Sequence, residues 1–124
     1  MITPKEIDLK IYQGASFQKS WRIQDKEGNP VDLTGWSAFC HIRKKKASDE
    51  IILEATTENE KLFIEQGEDT VYGFDLEPED TQIFIMKDAV YDIKLVDPQG
   101  HAVRIQEGKI SVSLAVTRVW ELQE

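Results

Sequence analysis

Apolar and polar residues alternate one by one from Glu6 to Gln13, from Val90 to Asp97 and from Lys109 to Arg118. A period of two sends successive side chains to opposite faces of an extended chain, the mark of a half-buried strand. Ile7, Leu9 and Ile11 share one face of the first run. Phe17, Trp21 and Ile23 share the next, interrupted by Lys19. Trp36, Ala38, Cys40 and Ile42 line a third, and Tyr72, Phe74 and Leu76 a later one. Ile110, Val112, Leu114 and Val116 make the last run the most regular, predicting a strand that continues to Arg118. Val31 to Leu33, Ile51 to Thr56 and Lys61 to Glu65 add shorter apolar segments.

Turn residues separate these runs. Asp25-Lys26-Glu27-Gly28-Asn29-Pro30 and Asp97-Pro98-Gln99-Gly100 carry the Gly, Pro and Asp that tight turns require. The second predicts a hairpin in which Ala102 to Gln106 pairs back on the Val90 run, with Glu107-Gly108 as an interruption. Pro78-Glu79-Asp80 places a proline and two acids where the first turn of a helix favours them. A short helix over about 78–86 is the only one expected. Eight or nine strands at this spacing predict an all-β, antiparallel sandwich. At 124 residues the chain makes one domain, 1–124, with short extensions at Met1 to Lys5 and Val119 to Glu124.

Composition narrows the functional classes. The net charge of −8 argues against a nucleic-acid binder, which needs a basic face for phosphates. The one basic run, Arg43 to Lys46, falls where strands break and reads as a solvated turn. No apolar run approaches the roughly 20 residues of a membrane span, and the first residues lack the apolar stretch of a secretory signal. Synthesis in a reducing cytosol fits the single cysteine, Cys40, which packs as a small hydrophobe.

Reactive chemistry is sparse. Cys40, His41 and His101 are the only Cys and His residues, too few for a structural zinc site. Asp25 to Asn29 resembles half of a calcium loop, but Lys26 occupies a position that would repel the cation. Phosphate loops, nucleophile elbows and dinucleotide turns are missing. No catalytic residue, metal or cofactor is therefore expected. Trp21 and Trp36 lie at core parity. Trp120 falls past the last regular alternation and is the candidate for stapling the tail or meeting a partner, with Arg118 and Val119 beside it as possible partner contacts.

Several segments together resemble a known family. They are Asp8 to Gly14, Trp21-Arg22-Ile23, Gly28 to Trp36, Arg43 within its strand, Tyr91 to Gly100, Glu107 to Val112 and Val116-Thr117-Arg118. Their order is similar to that of small bacteriophage and prophage virion proteins with an immunoglobulin-like β-sandwich. It also resembles the N-terminal domain of siphophage upper-baseplate proteins. The resemblance implies a non-enzymatic role in tail, baseplate or neck. It implies contacts with other phage structural proteins, repeated copies within the particle and a virion location, without nucleic acid or membrane. Two rivals remain: a carbohydrate-binding module for host-surface adhesion, which predicts an exposed aromatic pair, and an enzyme, which predicts a deep pocket with converging polar groups.

Overall fold

The computed structural model describes residues 4–122, organised as two facing sheets. The strands are β1 (Lys5–Glu6), β2 (Leu9–Tyr12), β3 (Phe17–Arg22), β4 (Ser37–Arg43), β5 (Leu53–Thr56), β6 (Leu62–Gln66), β7 (Thr70–Leu76), β8 (Asp88–Val96) and β9 (Ala102–Ser113). The larger sheet runs β1-β9-β8-β4-β5, with β2 following β1 along β9; the smaller runs β3-β7-β6. Two unequal sheets packed face to face make a β-sandwich of the immunoglobulin-like kind. Met1 to Thr3, part of the expected N-terminal extension, and Gln123 and Glu124 lie outside the described residues.

Four details differ from the sequence expectation or go beyond it. First, β1 and β2 run parallel to β9, so the sandwich is not wholly antiparallel. Gly108 allows this: a Cβ there would overlap the Ile7 carbonyl, whose own amide donates to Glu107 O at 2.9 Å. Second, the short apolar segment Val31 to Leu33, which the alternation leaves unassigned, is a loop. The Gln66 side chain takes its polar groups instead, accepting from Leu33 N (2.8 Å) and donating to Val31 O (3.1 Å). Third, Glu107-Gly108 does not interrupt β9, which is continuous for 12 residues. A bulge opposite Ile93/Lys94 inserts one residue, so Ile105 and Gln106 are both buried and the inward parity switches. Fourth, β9 stops at Ser113 rather than continuing to Arg118, which leaves Leu114 and Val116 exposed.

The helix is also shorter than expected, one turn over Pro78–Thr81. One turn is stable only when tied down. Asp80 accepts from Glu77 N at 2.8 Å and pairs with Lys61 at 3.1 Å, and Thr81 Oγ1 donates to Ala15 O at 2.8 Å. The helix ends at Thr81, and Phe84 beyond it is fully buried in the core.

Both predicted tight turns form by the same chemistry. Asp25 Oδ1 accepts from Glu27 N and Asn29 N, and Asp97 Oδ1 accepts from Gln99 N and His101 N. Gly28 and Gly100 each take positive φ, 84° and 92°. These carboxylates act as turn clamps, which accounts for Asp25 to Asn29 without a cation.

No disulfide joins the sheets. Phe74 is the hub instead: its ring lies 5.8 Å from Phe17, 6.1 Å from Trp21 and, across the core, 6.0 Å from Tyr91. A buried polar chain runs beside it. Tyr72 Oη donates to Gln106 Oε1 (2.6 Å), Gln106 Nε2 donates to Tyr91 Oη (2.9 Å), and Tyr91 Oη donates to the Ile7 carbonyl (2.7 Å). This chain links β7 in one sheet to β8, β9 and the β1–β2 connection in the other.

Burial pushes the Tyr72 hydroxyl up to about 12 and raises that of Tyr91 as well. A phenol held above its ordinary value of about 10 keeps its proton in the fold. Stability from this effect is full below about pH 10 and is lost as pH rises through about 12. In an alkaline titration, the phenolate absorbance of these two tyrosines is expected to appear together with loss of the β circular-dichroism signal. Ionisation of all three tyrosines with an unchanged spectrum would contradict the buried network.

Candidate interaction surface

The residues with reactive potential do not converge. Cys40 is buried on β4. Burial, with the Asp92 charge adding to it, pushes its thiol far above the usual range, so it is no nucleophile. His41 points to the outer face and bonds Glu54 at 2.8 Å, while His101 bonds Asp97 at 3.1 Å in the β8–β9 turn. No group of three or more potential metal ligands exists among the described residues. A shallow groove on the outer face of the larger sheet holds His41, Arg43, Asp92, Lys94, Arg104 and Glu107. Arg104 there is spent on Asp92 (3.3 Å) and Glu107 (3.2 Å). No helix among the described residues is long and apolar enough to cross a membrane.

Exposed apolar residues are distributed unevenly. Tyr12 and Ser113 end β2 and β9 side by side, and Arg43 ends β4 opposite Val90 near the start of β8. The connections 13–16, 44–52 and 77–87 and the segment 114–122 therefore share one end of the sandwich, called here the lower end. Tyr12, Ile51, Ile83, Ile85, Leu114, Val116 and Val119 are all exposed there; Phe39 is the one large exposed hydrophobe elsewhere among the described residues. Ile85, 77% exposed, stands between two grooves. One is lined by Gln13, Leu114, Arg118 and Trp120, the other by Lys44, Lys45, Ile52 and Met86. Single exposed hydrophobes need no explanation, but a patch of them marks a contact surface.

The three residues singled out at the C-terminus lie in this region. Trp120 sits in the 3-10 turn Val119–Leu122, half-buried against Gly14. Gly14 has φ 79° and no Cβ, and a Cβ would overlap the indole, so the glycine makes room for the ring. Arg118 pairs loosely with Glu121 at 3.7 Å, and Val119 is exposed. The tail staple and the exposed surface are thus neighbours. Trp21 and Trp36 are partly buried and packed on the core. The exposed rings of Tyr12 and Phe39 lie on β2 and β4, with β9 and β8 between them, so they form no aromatic pair. Sequence reading missed Ile83 and Ile85, because their apolar character fitted the helix expected over 78–86.

The upper end differs. Ile23, Val31, Leu33, Trp36, Leu95 and Val103 line a mainly apolar cleft of about 300 Å³ between the β3–β4 connection, the end of β8 and the start of β9. Asp32 lies beside it. Hydrogen bonds from the Thr34 hydroxyl and amide hold its carboxyl below the ordinary value, so it stays ionised.

No protein-family model and no curated relative matches the chain. Among solved structures, it is similar to the crystal structure of a chicken TCR, with a TM-score of 0.52 and 12% identity. The match covers 92% of this chain and 56% of that one, so this chain spans just over half of its length. A likeness at that identity concerns architecture alone, and with the strand order it establishes the immunoglobulin-like β-sandwich as the fold of this protein.

Proposed function

We propose that this protein is a non-enzymatic structural component of a bacteriophage particle, acting in the tail, baseplate or neck through protein–protein contacts. The observation that carries this reading is the gathering of exposed aliphatic side chains at one end of a disulfide-free immunoglobulin-like sandwich. Such a surface suits docking. The ordered resemblance of its turn and strand segments to phage virion proteins supplies the class of partner. Modest interfaces of this kind gain strength from repetition in rings. The spread of the exposed aromatics supports glycan stacking less well, and the scattered histidines support catalysis less well.

The test is mass spectrometry of purified particles from the host that encodes the chain, together with inspection of the flanking reading frames. The expected result is the chain in the particle fraction at a fixed copy number, flanked by tail or head-completion genes. Recovery only from the soluble cell fraction, with metabolic genes on both sides, would overturn the reading.

A further inference from the structure

We propose that the protein self-associates head to tail, the Leu114–Val119 segment of one copy seating in the upper apolar cleft of the next. Two sets of observations, one at each end, carry this.

At the lower end, the apolar alternation of β9 outlasts the sheet. Ile110 and Val112 are buried, but Leu114 is exposed and Val116 is 95% exposed. The segment has the side-chain pattern of a strand with nothing to bury it on. It is nevertheless held in place. Ala115 N donates to Gln13 Oε1 at 2.9 Å on one side, and Trp120 packs on Gly14 on the other. Anchoring both ends lowers the ordering cost of binding.

At the upper end, the cleft is lined mainly by aliphatic side chains and Trp36. An apolar cavity of about 150 Å³ can take a benzene-sized molecule, so this cleft has room for aliphatic side chains such as Val116 and Leu114. Its surroundings are acidic. Asp25 and Lys26 line its edge, and Glu27, Asp32 and Glu68 lie in the adjoining connections; none of these four acids joins an ion pair among the described residues, and Lys26 is the one lysine set against them. Leu114 to Val119 contains no acid and one cation, Arg118, whose pairing with Glu121 is long and exposed. An apolar segment with a positive charge faces an apolar cleft with a negative rim, the complementarity that steers and orients association.

The two surfaces lie at opposite ends of one rigid body, so a copy cannot fill its own cleft. A contact between two different surfaces is heterologous, and it yields rings or filaments rather than closed two-fold dimers. The inference names a second copy as a partner within the assembly role proposed above.

Sedimentation of the full chain over a wide concentration range tests it. Mass is expected to rise beyond a dimer with concentration and to fall with added salt. Val116→Asp, at a fully solvated position, and Glu27→Lys/Asp32→Lys, at the cleft rim, are each expected to weaken association by about tenfold or more. Circular dichroism checks that each variant is folded. Mixing the two variants is decisive: one retains an intact cleft and the other an intact segment, so together they form a capped heterodimer of twice the monomer mass. A monomer at every concentration, an unchanged mass for Val116→Asp, or a mixture that stays monomeric overturns the inference. Monomers that still enter particles would refute self-association and leave the virion role standing; oligomers absent from particles would do the reverse.

Discussion

Phe74→Ala is expected to be the most destabilising single substitution in the sandwich interior, costing about 3–5 kcal/mol. Phe74 is fully buried and contacts aromatic rings from both sheets: Phe17 and Trp21 on β3, Tyr91 on β8. Truncation removes the ring's burial and leaves a cavity that three rigid neighbours cannot collapse to fill. Domains of this size are stable by only about 5–15 kcal/mol. The variant should therefore lose a large fraction of its stability and melt roughly 10–20 °C lower. Urea unfolding should show a lower midpoint with a nearly unchanged slope. Phe74→Leu, which keeps much of the volume, should lose distinctly less. A loss below about 1 kcal/mol for alanine, well under the range for such truncations, would mean that the sheets do not pack around this ring.

Gln106→Leu is the second large effect, expected to cost about 2–3 kcal/mol although it places an apolar residue in an apolar core. The Tyr72 hydroxyl would lose its acceptor, and the Tyr91 oxygen its donor. Leaving a buried polar group unpaired costs more than the net worth of the bond it made. The double variant Tyr72→Phe/Gln106→Leu removes the orphaned hydroxyl and should recover about 1 kcal/mol or more relative to Gln106→Leu alone. Additive losses in this cycle, measured by urea unfolding, would show that the two side chains are not coupled.

Much of the architecture is legible in the residues. Period-two alternation marks β2, β4, β7 and β8 and most of β9, because strand geometry sends alternate side chains to opposite faces. Both Asp-x-x-Gly hairpin loops are equally plain, since the carboxylate and the positive-φ glycine act within five residues. Lys19, the charge at core parity, becomes intelligible once β3 is seen at the edge of the smaller sheet, where an interrupting lysine discourages pairing with another chain. The bulge in β9 was not legible. Glu107-Gly108 looked like an interruption, whereas parity switches at Ile105 and Gln106 through pairing with β8. The interaction surface was half legible. Trp120 stands out past the alternation, with Arg118 and Val119 beside it, but Ile85 and Val116 are exposed only because of where helix and strand end.

Local chemistry determined the all-β character, the turn positions and the absence of metal-ligand spacings, because each depends on residues within a few positions of one another. Tertiary structure decided the parallel pairing of β1 and β2 with β9, the inter-sheet Tyr72–Gln106–Tyr91 chain, and the placement of an apolar lower end opposite an acid-rimmed upper cleft. Those features join residues from 15 to more than 100 positions apart. Alternation records which face a side chain takes, but not which strand lies beside it or in which direction that strand runs.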